Sequence, residues 1–293
     1  MNNTLTVVRT PLINLDIDGI SVWGKAEFMN PSGSVKDRPI KNILQRAVEH
    51  GLLKKGDTVV EATSGNAGIS LAMYCAQMNY KCVIVMPTNM SEERKMMLRL
   101  YGAELIEVDA GDFDGAIELR NELSEKNGWY NCNQFASKWN IEAHREGTGV
   151  ELIYQCQALC IEPSAFVSGT GTGGTLMGAG ETLQNQYYNM KLVAVEPAES
   201  PVMSGGDKGL HGIQGIGDGS KFMVDLSLVE EIMVVSTDDA KEMCRKLAKD
   251  FGIFVGISAA ANVLASVRYG KKFDVTNILT ILCDRGERYL SML

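Results

Sequence analysis

Thr58-Val-Val-Glu-Ala-Thr-Ser-Gly-Asn-Ala-Gly-Ile-Ser-Leu-Ala-Met-Tyr-Cys-Ala-Gln77 decides the fold. Its first five residues, mostly β-branched or small, predict a strand over Thr58–Ala62. Ile69 to Gln77 is apolar nearly all round, the pattern of a buried helix. Thr63-Ser-Gly-Asn-Ala-Gly68 joins the two. Gly65 and Gly68 let the backbone approach a ligand closely, and the N–H groups of the helix start favour an anion such as a carboxylate. Asn66 carries an amide that can donate to a phenolic or carbonyl oxygen. An ordinary capped turn is the other reading of the same residues.

The rhythm of strand, turn and helix continues outward. Lys81–Met86 predicts a strand stopped by Pro87, Leu105–Val108 another, with helices from a Ser91 cap to about Leu100 and from Asp112 to Glu125. Later strands fit Ser164–Ser168, Lys191–Val195, Ile232–Val235 and Asn277–Cys283, and helices fit Gly174–Leu183, Thr237–Asp250 and Ala259–Val267. Such alternation predicts an α/β fold of largely parallel sheets covered by helices. No repeat, low-complexity tract or Pro/Ser-rich linker marks a boundary in the 293 residues, so two domains would be closely joined, with the chain able to cross more than once. Ala198–Val224 is rich in glycine and without period.

Two further stretches carry chemistry. Gly169-Thr-Gly-Thr-Gly-Gly-Thr175 follows a strand and opens a helix, a loop suited to phosphate. It lacks the Gly-Lys-Ser/Thr of a nucleotide-binding loop and fits the dinucleotide pattern poorly, so a lone phosphate carried by a cofactor suits it better. Asn30-Pro-Ser-Gly-Ser-Val-Lys-Asp-Arg38 places the Lys36 amine just after a tight turn. An amine beside an anion cradle suggests carbonyl chemistry with Lys36 as the Schiff-base partner, although a lysine at a helix start is by itself usually a solvated charge.

Composition narrows the partners. Hydrophobic residues make up 45% and charged residues 22%, a globular balance. The net charge of −8 argues against nucleic acid or an anionic membrane, both of which need concentrated Lys and Arg. No run is long enough to span a membrane and the N-terminus has no secretory pattern, which predicts a cytoplasmic protein. Seven irregularly spaced cysteines without Cys-x-x-Cys read as buried free thiols, and three scattered histidines (His50, His144, His211) make a metal site or a His-dependent hydrolase a poor expectation.

These motifs, in this order, resemble the cysteine synthase (O-acetylserine sulfhydrylase) family of fold type II, tryptophan-synthase-β-like pyridoxal-phosphate enzymes. The resemblance adds Glu61-Ala-Thr-Ser-Gly-Asn66, Asn89-Met-Ser-Glu-Glu-Arg94, Tyr101-Gly-Ala-Glu104, Gln214-Gly-Ile-Gly217 and Gly256-Ile-Ser258, and covers nearly the whole chain. The tail Cys283-Asp-Arg-Gly-Glu-Arg-Tyr-Leu-Ser291 is similar to the B-type branch. The resemblance implies pyridoxal 5′-phosphate on Lys36, Asn66 at its 3′-oxygen, Gly171, Thr172, Gly173, Gly174 and Thr175 around its phosphate, and Ser258 at its ring nitrogen. It implies that Thr63, Ser64 and Gln134, with the backbone of Gly65, Ala67 and Gly215, bind the amino-acid substrate. Residues 35–145 would form a smaller mobile domain, and 1–34 with 146–293 the larger, phosphate-binding one. A homodimer is implied as well; a complex with serine acetyltransferase, typical of the A-type branch, is the weaker expectation.

The activity implied is β-replacement on a β-substituted L-serine through an α-aminoacrylate, foremost O-acetyl-L-serine plus sulfide to L-cysteine. Departures leave the substrate open. Ala67 stands where the family usually has Thr, Ala260 follows Gly256-Ile-Ser-Ala, and Ala136-Ser-Lys-Trp139 replaces the usual Asn-Pro pattern. Asp218 stands where sulfhydrylases commonly carry a small apolar residue. A carboxylate there is either a general base that activates water, giving a cysteine hydroxyl-lyase that releases serine and hydrogen sulfide, or a solvated loop residue. Cystathionine or 2,3-diaminopropionate formation and a catalytically silent, amino-acid-sensing protein are further alternatives.

Overall fold

The computed structural model describes residues 6–63 and 65–293, so Ser64 lies outside the described residues. Contacts divide the chain into two compact units, one built on Lys36–Asn140 and the other on Val8–Val35 with Ile141–Leu293.

The chain opens with β1 (Leu12–Ile17) and β2 (Ile20–Lys25), an antiparallel hairpin. Its two turn residues, Asp18 (φ 54°) and Gly19 (φ 81°), take the left-handed conformation that a tight hairpin requires. Next come α1 (Asp37–Glu49), β3 (Thr58–Ala62), α2 (Asn66–Met78), β4 (Lys81–Pro87), α3 (Glu92–Leu100), β5 (Glu104–Val108), α4 (Phe113–Asn127) and β6 (Tyr130–Asn131). The remainder holds α5 (Lys138–Ala143), a π-helical stretch His144–Gly149, α6 (Val150–Leu159), β7 (Ala165–Gly169), α7 (Gly174–Gln186), β8 (Lys191–Pro197), β9 (Glu231–Val235), α8 (Thr237–Phe251), α9 (Ile257–Phe273) and β10 (Ile278–Ile281).

In the first unit a four-stranded parallel sheet runs β5-β4-β3-β6. Alternate residues of its central strands face opposite ways. Val60, Ala62, Val83 and Val85 pack on Ala116 of α4, while Val59 and Ile84 join Ile40, Leu44, Ile69, Leu71 and Leu98 from α1, α2 and α3. Helix α1 buries Ile40, Ile43, Leu44 and Ala47, a stripe at helical spacing. In the second unit a six-stranded sheet runs β1-β2-β10-β7-β8-β9, parallel except for the β1–β2 pair. Phe166 and Leu192 face α6 and α7, whereas Val167, Val193 and Val195 face α9. Both units are therefore helix–sheet–helix layers, the α/β architecture with largely parallel sheets.

Several local readings differ from the sequence expectation. Ser91 occupies the cap position of α3 in extended backbone, yet its hydroxyl makes no cap bond and is buried without a partner among the described residues. Asp112 does cap α4, accepting from the Gly115 N–H at 2.9 Å, and Ser236 caps α8 through Asp239. Five of the seven thiols are buried, but Cys160 is exposed and Cys283 half-buried. Burial and Asp284's charge push the Cys244 thiol up to about 11, and burial with Glu162's charge does the same for Cys156. No helix among the described residues is long and apolar enough to cross a membrane.

Leu44 is fully buried and Leu100 is 84% exposed. Leu44→Ala is expected to lower the unfolding free energy by about 2–5 kcal/mol in denaturant titration, and Leu100→Ala by less than about 0.5 kcal/mol. A thiol reagent at pH 8 is expected to label one site rapidly, mapped by peptide mass spectrometry to Cys160, with Cys156 and Cys244 unreacted until the protein unfolds.

Candidate active site

Parallel strands deliver their C-terminal ends to the helices that follow, and each unit has one such junction built from glycine. In the first unit β3 ends at Ala62 and α2 begins at Asn66. Thr63 is held to the sheet by its N–H to the Val85 carbonyl (3.1 Å), and its hydroxyl accepts from the Gly65 N–H (3.2 Å). A methyl group on Gly65 would sit 3.0 Å from the Arg94 guanidinium carbon, and one on Gly68 2.9 Å from Thr63 Cγ2. The glycines let α2 start at once, with its N–H groups and positive dipole end at the turn. No acidic side chain lies in that first turn. Ala67 is buried at 2% exposure, so the methyl that replaces the family's usual Thr is packed in the core.

Lys36 stands at the N-terminal boundary of α1, half-buried, its carbonyl accepting from the Ile40 N–H at 3.1 Å. The turn before it is fixed: Gly33 (φ 84°) donates to the Asn30 carbonyl, and Asn30 Nδ2 donates to the buried Glu27 carboxylate at 2.7 Å. Gln134 follows β6 and is 2% exposed. Its N–H donates to Glu61 Oε2 (2.9 Å) and its carbonyl accepts from Asn140 Nδ2 (2.9 Å). Its side-chain Oε1 is buried with no protein partner among the described residues. Buried polar atoms are nearly always satisfied, so an orphan acceptor points to a missing ligand or water.

In the second unit β7 leads through Thr170 into Gly171-Thr-Gly-Gly-Thr175 and α7. A methyl on Gly171 would lie 2.5 Å from the Gly215 carbonyl oxygen and 3.4 Å from Asp218 Oδ2. Gly173 caps α7 at φ 85°, where a methyl would also meet Val224 Cγ2 at 2.7 Å. The loop is tied down by Gly217 N–H to the Thr170 carbonyl (3.0 Å) and Met223 N–H to the Thr172 carbonyl (3.2 Å). This is a backbone cradle at a helix N-terminus with no space for side chains at Gly171 and Gly173, which suits a phosphate.

Residues that the sequence did not single out support that cradle. His144, 1% exposed and within the π-helical stretch, contacts Thr175 Oγ1 through Nε2 (3.2 Å) and Thr148 Oγ1 through Nδ1 (2.9 Å). Asn262 Oδ1 accepts from the Gly169 N–H at 2.7 Å, and its Nδ2 donates to the Ile281 carbonyl at 2.9 Å. Asn262 is one helical turn beyond Ser258, so both lie on one face of α9. A buried Asn inside an apolar helix is the sequence signal that could have marked it. Ser258 is 4% exposed in the first turn of α9.

The structure thus gathers Gly171–Thr175, Gly215 and Asp218 at one loop cluster of the second unit. It gathers Thr63, Gly65, Asn66 and Ala67 at one turn of the first, with Gln134 tied to the same strand end through Glu61. Asp218 is half-buried beside the cradle. The glycine cradle of the second unit fits a phosphate-bearing group, and the helix-start N–H groups and the orphan acceptor of the first fit the polar groups of an amino acid.

Comparison with known proteins agrees. The chain is 41% identical over 297 residues to a cysteine synthase of Staphylococcus aureus (strain Mu50), covering 99% of this chain and 95% of that protein. It is 42% identical to cysteine synthase B of Campylobacter jejuni, covering 97% and 94%. A crystal structure of a hydrogen sulfide-producing enzyme from Fusobacterium nucleatum superposes with TM-score 0.93 at 37% identity, covering 98% of this chain and 88% of that one. The pyridoxal-phosphate dependent enzyme model matches residues 4–284, and the chain belongs to that family of enzymes.

Proposed function

We propose that the protein catalyses β-replacement on an amino acid, foremost O-acetyl-L-serine plus sulfide to L-cysteine and acetate. The observation that carries the proposal is the Gly171 cradle at the start of α7, closed to any side chain by the Gly215 carbonyl. Full-length similarity to cysteine synthases supports the choice of reaction.

When bound, pyridoxal phosphate supplies an aldehyde that condenses with amines and a ring that withdraws electrons from the α-carbon of an attached amino acid. Lys36 Nζ is assigned its attachment, Gly171–Thr175 its phosphate, Asn66 its 3′-oxygen and Ser258 its ring nitrogen. Ser258 is a hydroxyl rather than a carboxylate, so ring protonation is not enforced. Electron withdrawal is then moderate, enough when a leaving group takes the electrons directly. Thr63, Ser64, Gln134 and the N–H groups at the start of α2 are assigned the substrate carboxylate. Lys36 Nζ, once released, takes the α-proton while the acetoxy group leaves with its bonding pair. Hydrosulfide then brings an electron pair to the β-carbon and Lys36 returns the proton. We assign the donor-binding residues to the unit of Lys36–Asn140 and the phosphate site to the other.

A second reading is favoured by Asp218, whose Oδ2 borders Gly171. Its carboxylate would take a proton from water, and the same chemistry would then convert cysteine to serine and hydrogen sulfide. The similar Fusobacterium enzyme supports this alternative.

Supplied with O-acetylserine and sulfide, the protein is expected to form cysteine with a kcat/KM at least about tenfold above that for sulfide release from cysteine alone. Asp218→Asn is expected to leave cysteine formation within about threefold; if sulfide release instead dominates and falls about 100-fold in Asp218→Asn, the lyase reading holds. Turnover in neither assay removes both readings. Gly171→Ala is expected to weaken pyridoxal-phosphate affinity about tenfold or more, measured by equilibrium dialysis, because its methyl displaces the Gly215 backbone.

A further inference from the structure

Glu61 is fully buried in β3, one residue before the strand ends. A buried carboxylate persists only when paired and hydrogen-bonded. Here Oε1 accepts from Arg120 Nη1 of α4 and from the Ala62 N–H, both at 2.8 Å, and Oε2 accepts from the Gln134 N–H at 2.9 Å. Burial first, then Glu61's charge, hold the nearby Cys132 thiol far above its ordinary range, so it stays a neutral S–H.

The location gives these bonds a consequence. Strands β3 and β6 pair through Val59–Tyr130 and Val60–Asn131, and the ladder closes with the Cys132 N–H to the Val60 carbonyl at 3.1 Å. Asn133 then turns the chain at φ 42°. Beyond that point the Glu61 carboxylate continues the connection, side chain to backbone, from β3 to Gln134. With the Gln134 carbonyl fixed by Asn140, the backbone of Gln134 is held on both sides while its carboxamide oxygen has no protein donor among the described residues.

We propose that Glu61 is a positioning residue for substrate recognition: it clamps the end of β3 to the Gln134 amide and so aims the Gln134 carboxamide at the amino-acid substrate. The proposal rests on the reading of Gln134 as a substrate-binding residue. A carboxylate suits this place because it offers acceptors to three donors at once. A Gln here would turn its own NH2 toward one of them.

The test uses the cofactor-loaded enzyme and L-alanine, which has the α-carboxylate and α-amine and no leaving group, titrated by calorimetry. Four forms are compared: wild type, Gln134→Ala, the pair Glu61→Gln with Arg120→Met, and all three changes together. The pair removes both buried charges, so neither is left alone to unfold the protein. Gln134→Ala and the pair are each expected to weaken L-alanine about tenfold. The triple form is expected to match Gln134→Ala within twofold, with cofactor affinity unchanged throughout. Multiplying effects in the triple form, or a pair that binds L-alanine as wild type does while Gln134→Ala is weakened, overturn the clamp alone. Normal L-alanine binding in Gln134→Ala overturns the clamp and the assignment of Gln134 together.

Discussion

A peptide N–H that begins a helix has no acceptor within that helix, and in a parallel sheet this unmet need falls where a strand has just ended. Both units use the same solution. The chain passes from β3 to α2 and from β7 to α7 through glycines, where a methyl would press on the Arg94 guanidinium in one case and run into the Gly215 carbonyl in the other. The N–H groups then face a turn that favours an anion. A protein of net charge −8 can therefore favour anions locally, because the field comes from oriented peptide groups and not from a basic surface.

The layers on either side fix the strand ends that feed these junctions. Strands β4 and β8 have six consecutive buried residues each, so both faces are covered and the strand ends cannot shift without opening two cores. The sheets hold the loops in place. Glu61, Asn262 and His144 extend that support into the loops with buried polar bonds. Such bonds are directional, so they hold orientation as well as position.

Much of this was legible in the residues. The central strands and their following helices read correctly because buried parallel strands are continuous apolar runs and glycine turns separate them. The β1–β2 hairpin was missed although Asp18-Gly19 is its turn signal; the flanking Leu12–Ile17 alternates and is only half-buried, a weaker pattern than the central runs. Helix α1 was read only as a start at Lys36, without its extent, because its buried stripe is interrupted by Lys, Asn, Gln and Arg, and only the period reveals it. Glu61, His144 and Asn262 act through groups distant in sequence, 73 residues apart for Glu61 and Gln134, and no local spacing encodes such a pairing. Cys160 escaped the expectation of burial because it ends α6 in left-handed backbone (φ 54°) at the surface.

The π-helical stretch His144–Gly149 sets a limit on how this chain can vary. A π turn is an α-helix holding surplus backbone, and each residue added to or removed from a helix rotates the downstream turns by about 100°. Deleting one residue there would turn the stretch into ordinary helix and break the spacing that lets His144 meet Thr148 and Thr175. Substitutions across the exposed face of this region leave the register intact, whereas insertions and deletions do not. Through this stretch, the spacing of the chain constrains the contact at Thr175 as strictly as any side chain does.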